Sequence, residues 1–359
     1  MAVVKPFRAL RYDEAAAGPL ESLVAPPYDV ISPAQRLEYL ARPHNVVHLT
    51  LPDSEDEAAR TLERWRASGV LVEEPPAVWF LVQDYVGPDG VARRRGAIVG
   101  SLKVEPYETR TVLPHERTHA GPKEGRLRLL RATRVQLEPI FLLYDGPAPL
   151  EAPEREADLA VPGARLWRLD DPTIVRAFDD RQLLIADGHH RYETALAYHE
   201  EEGTPASAQM LVALVSTNDP GLEIFPTHRL FAGPQRLQGE REPVDDPEAA
   251  LARLRDAEQQ HARPAVVEVT NHGAAIVRGE DGLLDVQLVD ALGHDGIAYT
   301  PDPGEALRRV REHEAEVAYL LSPTRIIDVF AFARRGEVLP QKTTYFFPKL
   351  PSGLLLLPL

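Results

Sequence analysis

Residues 186–191 place an acid, an alanine, a glycine, two histidines and an arginine in a single predicted turn. The apolar run 183–185 before them is typical of a buried strand, and residues 192–198 after them have a helical pattern. Gly188 allows the chain to turn sharply between the two elements. A helix that begins here presents free N–H groups and its positive dipole end to a phosphate, and Arg191 adds a bidentate donor. The sequence therefore predicts an anion site between a strand and a helix.

The other polar groups of this turn suggest chemistry as well as binding. Asp187 can orient an imidazole, accept a proton or hold Mg²⁺, because Mg²⁺ prefers hard oxygen ligands. His189 or His190 can stabilise a phosphoryl group during its transfer. A structural interpretation stays open, in which Asp187 caps the helix and the other side chains form ordinary hydrogen bonds.

Composition argues against several classes of protein. The chain has 359 residues, enough for two domains, and its formal net charge of −15 argues against a general nucleic-acid binder. It has no cysteine, which excludes disulfides and thiol catalysis. Residues 1–7 do not resemble a signal peptide, and the leucines 354–357 are too few to span a bilayer. We therefore expect a cytoplasmic protein without membrane or nucleic-acid partners, while its oligomeric state stays open.

The order of the predicted elements indicates an α/β to α+β fold with a mixed sheet. Residues 1–235 form the predicted core, with an N-terminal α/β part at 1–145 and the motif-bearing part at 164–235. Residues 236–335 form a smaller predicted α+β module, and residues 336–359 return to the core as a tail.

Short apolar runs predict the individual strands. Residues 77–86 and 95–104 form a predicted hairpin, because the Gly-Pro-Asp-Gly between them is a strong turn signal. Residues 22–24, 46–49 and 283–288 are predicted strands on the same kind of pattern.

A polar loop before a basic helix supplies further site candidates. Glu116 is predicted to act in catalysis or to bind Mg²⁺, His115 to contact the substrate, and Lys123 with Arg126 to bind phosphate. A zinc site needs three or four ligands, which this loop and the turn supply only if the fold brings them together. For each single residue, an ordinary polar loop is the alternative.

Segments near the two ends of the chain carry polar groups that their local structure does not require. Tyr28 is a candidate to stack on a base or on the substrate, and Asp29 to bind a hydroxyl or an amine. Lys342 and Thr343 are candidates to bind the phosphates. In each segment, a purely structural role is the alternative.

His228 is a further candidate for phosphate binding, at the end of a strand predicted to lie beside strand 209–216. If these segments share a function, they must meet in space. We therefore expect one cleft lined by residues 26–29, 113–126, 187–191, 227–229 and 342–345.

Several of these segments together resemble the signature of a large prokaryotic family described as a domain of unknown function. The segments that carry the resemblance span nearly the whole chain: residues 25–32, 113–116 with 122–123, 185–192, 227–230 and 341–349.

The turn Gly188-His189-His190-Arg191 also resembles the Gly-X-X-Arg turn of the ParB/sulfiredoxin superfamily. That resemblance implies a ParB/sulfiredoxin-like core with nucleotide phosphates at this turn, as in ParB partition proteins and free-serine kinases. Sulfiredoxins use a cysteine where this chain has His189, so the sulfiredoxin reaction is excluded.

The resulting hypothesis is a nucleotide-dependent kinase or phosphotransferase of a small hydroxyl compound, with ATP, ADP or another nucleotide and Mg²⁺ at the turn 187–191. One alternative is a non-catalytic nucleotide-binding regulator similar to ParB, although ParB-like proteins usually carry a basic helix-turn-helix domain that is not evident here. A second alternative is a metal-dependent hydrolase that uses the histidines. The sequence identifies neither the nucleotide nor the phosphate acceptor.

Overall fold

The structure of the chain is a computed structural model that describes residues 1–116, 120–258, 263–280 and 282–359. The helices, numbered in chain order, are α1 Glu14–Ala17, α2 Leu20–Leu23, α3 Pro33–Leu40, α4 Val47–Thr50, α5 Glu55–Ala67, α6 Ala120–Thr133, α7 His189–Glu202, α8 Pro247–Glu258, α9 Asp285–Asp290, α10 Pro303–Arg311 and α11 Ile326–Arg335. Short 3-10 helices lie at Tyr28–Val30, Tyr107–Thr109 and Pro172–Phe178.

The strands are numbered in the same way. They are β1 Val4–Lys5, β2 Leu10–Tyr12, β3 Leu71–Glu73, β4 Val78–Val86, β5 Ala92–Lys103, β6 Val112–Leu113, β7 Val135–Gln136, β8 Ile140–Tyr144, β9 Leu159–Val161, β10 Ala164–Leu169, β11 Leu183–Asp187, β12 Gln209–Ser216, β13 Glu223–Phe225, β14 His228–Phe231, β15 Glu240–Val244, β16 Ala265–Thr270, β17 Gly273–Arg278, β18 Ile297–Thr300, β19 Val317–Leu320, β20 Tyr345–Phe347 and β21 Leu357–Pro358.

A nine-stranded mixed sheet forms the larger core, as the α/β to α+β prediction expects. Its order is β6-β11-β8-β12-β5-β4-β10-β9, and β1 also pairs with β5. The β6–β11 and β8–β12 pairs are parallel, whereas the others are antiparallel. The predicted hairpin is present as β4 and β5.

Side-chain alternation gives this sheet two apolar faces. Along β12, Leu211 and Ala213 belong to one buried cluster, and Val212 and Leu214 belong to another. Because successive side chains of a strand point to opposite faces, a continuous apolar run is the pattern of a strand that is covered on both sides. β11, the strand that precedes the turn at 187–191, is covered on both faces in the same way, with Leu184 and Ala186 in the first cluster and Leu183 and Ile185 in the second.

A second sheet of six antiparallel strands has the order β15-β17-β16-β19-β14-β18. The strand that carries His228 is β14, and it pairs with β18 and β19. Our expectation that this strand lies beside β12 is therefore wrong. Leu230 and Phe231 explain the difference, because they are buried in the apolar clusters of the second sheet.

The C-terminal segment packs against the larger sheet and its neighbours. β20 pairs with β13, and β21 pairs with β7. The leucines 354–357 are buried in one of the two clusters of the nine-stranded sheet. This path brings the motif at 341–349 next to β11.

Three of the predicted strands are wrong, because each segment is helical or adjoins a helix. α2 ends at Leu23 within the segment 22–24, α4 covers most of 46–49, and α9 overlaps 283–288. Short apolar runs do not distinguish a strand from a buried helical turn, and tertiary packing decides between them. In the described parts of the chain, no helix has the length and apolar character needed to cross a membrane.

Candidate functional site

A pocket of about 480 Å³ lies where β11 ends. Its walls come from the nine-stranded sheet, from β18 of the second sheet and from the C-terminal segment. The lining residues are 28–30, 116, 186–191, 227, 299–301, 342, 344–346 and 349. Members of all five segments that we expect to share a cleft are among them.

Gly188 forms the turn between β11 and α7. Its φ of 101° lies in the left-handed region, where residues with a Cβ are strained. A Cβ at this position would also lie 2.5 Å from Cγ2 of Ile140. Gly188 is the N-cap residue of α7 and has no side chain of its own to cap the helix. The first turn of the helix lines the pocket through residues 189–191.

Asp187 lies at the centre of a charged cluster. Arg191 Nη2 donates to its Oδ2 at 2.8 Å, and Lys349 Nζ donates to its Oδ1. Lys349 Nζ also lies 3.5 Å from Oδ2 of Asp29. Burial opposes ionisation of Asp187, but Lys349 and Arg191 outweigh it and hold the pKa of this carboxyl below its usual range. Burial likewise opposes the charge on Lys349, whose pKa Asp187 and Asp29 nevertheless raise.

Two buried histidines stand behind this cluster. His115 Nδ1 donates to the carbonyl of Ile185 at 2.6 Å, and the Thr344 hydroxyl donates to His115 Nε2 at 2.8 Å. The backbone N–H of His115 donates to His189 Nε2 at 3.3 Å. Burial lowers the pKa of His115 to about 4 and that of His189 well below its usual value. Both rings are therefore neutral near pH 7, and His189 carries its proton on Nδ1.

Glu116 lines the pocket from a different loop. Its Oε1 accepts a hydrogen bond of 3.2 Å from the backbone N–H of Lys342, whose φ is 57°. Burial is the main cause that raises the pKa of Glu116, and Asp187 adds to it. A carboxyl with a raised pKa is a better proton acceptor than one held by cations. His190 lines the same pocket.

Two of the predicted phosphate ligands lie beside the pocket rather than on its wall. Arg126 Nη1 donates to the carbonyl of Thr50 at 2.8 Å, and its guanidinium lies 4.1 Å from the centre of the Tyr28 ring. Lys123 Nζ lies 3.7 Å from a carboxylate oxygen of Glu193. Arg126 thus supports Tyr28, which lines the pocket, and Lys123 pairs with a neighbouring helix.

Two other predicted ligands are buried in the protein. The Thr343 hydroxyl donates to the carbonyl of Pro340 at 2.5 Å. His228 Nδ1 accepts from the backbone N–H of Leu321 at 3.1 Å, and burial lowers the pKa of His228 to about 3. Neither residue is among those that line the pocket. Both side chains therefore form hydrogen bonds within the protein and do not contact the pocket.

The structure also adds residues that we did not predict for the site. Lys349 belongs to the motif at 341–349 and is one of only five lysines in the chain, which is a signal that the sequence offered. Thr344, by contrast, belongs to the segment 342–345 that we expect to line the cleft. Tyr299 and Thr300 line the pocket from β18, and no local pattern distinguishes them.

The described residues contain no group of three or more histidine, aspartate or glutamate side chains arranged to hold a metal ion. The rings of His115 and His189 lie with their centroids 4.8 Å apart, yet each is engaged in the hydrogen bonds given above. Residues 117–119, part of the predicted polar loop, lie outside the described residues.

Comparison with known proteins identifies the family. The chain belongs to the family described as protein of unknown function (DUF1015), whose profile matches residues 4–262. No curated protein matches the chain.

Solved structures with a similar arrangement include a free serine kinase in complex with AMP, with 14% identity and a TM-score of 0.37, covering 68% of this chain and 89% of that chain. A conserved hypothetical protein from Pyrococcus furiosus has 14% identity and a TM-score of 0.37, covering 67% of this chain and 90% of that chain. SbnI with a C-terminal truncation, from Staphylococcus aureus, has 12% identity and a TM-score of 0.37, covering 69% of this chain and 84% of that chain.

Proposed function

We propose that the pocket binds the phosphates of a nucleotide, ATP or ADP, and that the protein transfers a phosphoryl group to the hydroxyl of a small molecule. The observation that carries the proposal is the position of the start of α7: Gly188, Arg191 and Lys349 all line the pocket. Backbone N–H groups and the helix dipole favour an anion at such a position. The volume of about 480 Å³ is that of a small-molecule site.

The charged side chains among the described lining residues are balanced. In that set, three cations and three carboxylates face the pocket: Arg191, Lys342, Lys349, Asp29, Glu116 and Asp187. A nucleotide phosphate therefore needs further positive charge, part of which the helix N–H groups supply. A divalent cation that enters with the nucleotide would supply the rest.

Mg²⁺ suits the oxygen ligands of this pocket. It commonly binds proteins through one or two carboxylates and takes its other ligands from phosphates and water, so a dedicated cluster of three acids is not required. Asp187 is the residue that would hold it, and Glu116 is kept for the proton transfer described below. When bound, Mg²⁺ would neutralise phosphate charge.

The different pKa shifts of Asp187 and Glu116 suggest a different role for each carboxyl. Asp187 is held ionised by Lys349 and Arg191, so we assign it the task of orienting these cations toward the phosphates. Glu116, with its raised pKa, is assigned as the acceptor of the hydroxyl proton. His189 can donate only through Nδ1–H, and together with His190 it is assigned to the transferring phosphoryl.

The substrate contacts follow from the position of the remaining residues. Tyr28 lines the pocket with Arg126 over its ring, so a base or substrate can stack only on the other ring face. Asp29 is assigned to a hydroxyl or an amine of the bound molecule. His115 supports His189 from behind and makes no direct contact in this scheme.

A turnover assay tests the proposal. Purified protein is incubated with Mg²⁺ and ATP or ADP against a panel of amino acids and sugars, and nucleotide consumption is measured. Glu116→Gln keeps the size of the side chain and removes its basicity, so we expect turnover to fall by about 10²- to 10⁴-fold. The exposed Glu108→Gln, outside the pocket, is the matched control.

Two outcomes contradict parts of the proposal. If the wild type binds nucleotide but consumes none with any acceptor, the transfer reaction is wrong and a nucleotide-binding regulator takes its place. If the wild type binds no nucleotide, both functions are wrong.

A further inference from the structure

Lys349 stands on a stretch of backbone that has no regular structure of its own. β20 ends at Phe347, and residues 348–350 belong to no strand or helix. Pro348, the residue before Lys349, has no N–H to donate. Backbone carbonyls in such a segment need hydrogen-bond donors from elsewhere in the protein. The position of the Lys349 backbone therefore depends on donors from other parts of the protein.

Two side chains on neighbouring strands supply these donors. Arg95 on β5 donates through Nη1 to the carbonyl of Phe347 at 3.1 Å and through Nη2 to the carbonyl of Pro348 at 2.7 Å. Gln83 on β4 donates through Nε2 to the carbonyl of Lys349 at 3.1 Å. Three successive carbonyls are thus held from the nine-stranded sheet.

Arg95 and Gln83 also hold each other. They face each other directly across the β4–β5 pair, and Arg95 Nη2 donates to Gln83 Oε1 at 2.5 Å. Both are buried, with 1% and 4% of their surfaces exposed. The Arg95 guanidinium stacks 4.5 Å from the centre of the Phe141 ring. We call this pair the Arg95–Gln83 clamp.

Packing alone does not explain a buried arginine at this position. Removing a cation from water is costly, and an apolar side chain of similar volume would fill the same space without that cost. Arginine differs by presenting a planar fork of N–H donors. Here the fork is directed at the backbone that leads to Lys349.

We infer that Arg95 and Gln83 are positioning residues that hold Lys349 against Asp187 in the pocket. The clamp fixes the backbone at 347–349, and from there the Lys349 ammonium reaches Asp187 and Asp29. Neither clamp residue lines the pocket. The consequence for phosphate binding rests on the proposed function, whereas the placement of Lys349 does not.

Amine acetylation measures the placement without any nucleotide. The chain has five lysines, so limited acetylation followed by mass spectrometry can quantify each one. The reagent requires a deprotonated, accessible amine, and the ion pair with Asp187 protects Lys349. The measured quantity is the acetylation rate of Lys349 relative to the exposed Lys5 in the same sample.

Three variants make the comparison. Gln83→Met removes the amide at nearly constant volume, and Gln83→Glu removes the donor to Lys349 while keeping an oxygen partner for Arg95. In both variants, we expect the acetylation rate of Lys349, relative to that of Lys5, to be several-fold higher than in the wild type. Gln209→Met, which removes a glutamine of β12 that contacts Ser101 at 2.7 Å, should leave this ratio unchanged.

Circular dichroism shows which variants fold. If Gln83→Met unfolds, Gln83→Glu decides the question. A folded Gln83 variant with the wild-type acetylation ratio would overturn the inference. Absence of nucleotide binding by the wild type would instead overturn the proposed function alone. The acetylation result would still stand, because that assay contains no nucleotide.

Discussion

Burial decides the charge of three histidines, two beside the pocket and one in the second sheet. His115, His189 and His228 are all buried, and burial lowers the pKa of each below its usual value. Each is hydrogen-bonded to a backbone group, so each serves as a neutral donor or acceptor. These imidazoles therefore contribute directional hydrogen bonds rather than positive charge.

His228 makes the stability of the protein depend on pH. An unfolded histidine has a pKa of about 6.5, and the pKa of folded His228 is about 3. Between these values the unfolded state binds more protons, so stability falls as the pH decreases from about 6.5 toward 3. One such histidine costs about 2 kcal/mol between pH 7 and pH 5.

His228→Asn tests this effect. The asparagine oxygen can still accept from the N–H of Leu321, while the titrating group is gone. Urea unfolding at pH 7 and pH 5 should show a smaller loss of stability on acidification in the variant than in the wild type. Nucleotide affinity should not change, because His228 does not line the pocket. Equal losses in both proteins would contradict the account.

At the scale of elements, local signals predicted β11, the turn at Gly188, α7 and the β4–β5 hairpin. Each has a strong local cause, such as a continuous apolar run or a glycine-rich turn. The segment 46–49 is also largely apolar, but its valines pack in a small separate cluster as a helical turn. The partner strands of β14 depend on distant parts of the chain, and no local pattern specifies them.

Gly188→Ala tests the junction between β11 and α7. The alanine would be strained at a φ of 101°, and its Cβ would clash with Ile140 at 2.5 Å. We expect a loss of about 1–3 kcal/mol in unfolding free energy, together with weaker nucleotide binding, because the start of α7 must move. Denaturant unfolding and calorimetry measure the two effects.

Gly203→Ala is the matched control at the other end of α7. Gly203 has a φ of 64°, but nothing lies within 4 Å of a Cβ at this position. The control should lose stability through strain and keep its nucleotide affinity. If both variants retain wild-type affinity, the start of α7 is not part of the binding site.

At the scale of the whole molecule, the pocket combines parts of the chain that are far apart in sequence. The sequence predicted that the turn, Glu116, Tyr28, Asp29 and Lys342 share one cleft, because each stands in a segment with surplus polar groups, and all of them line the pocket. Their chemical roles stay predictions. It did not predict Tyr299, which reaches the pocket through the pairing of β18, or the role of Lys349, which depends on the path of the C-terminal segment. The division at residues 235 and 335 stays a prediction.

The most direct test of the central claim is calorimetric titration of ATP and ADP, with Mg²⁺, into the wild type and Lys349→Met. The substitution keeps most of the side-chain volume, removes a cation and leaves Asp187 less compensated, so we expect affinity to fall by about 10- to 100-fold. Lys103→Met, which changes an exposed lysine paired with Glu105 outside the pocket, should bind as the wild type does. Absence of binding by the wild type, or equal affinity in Lys349→Met, would contradict the claim that this pocket holds nucleotide phosphates.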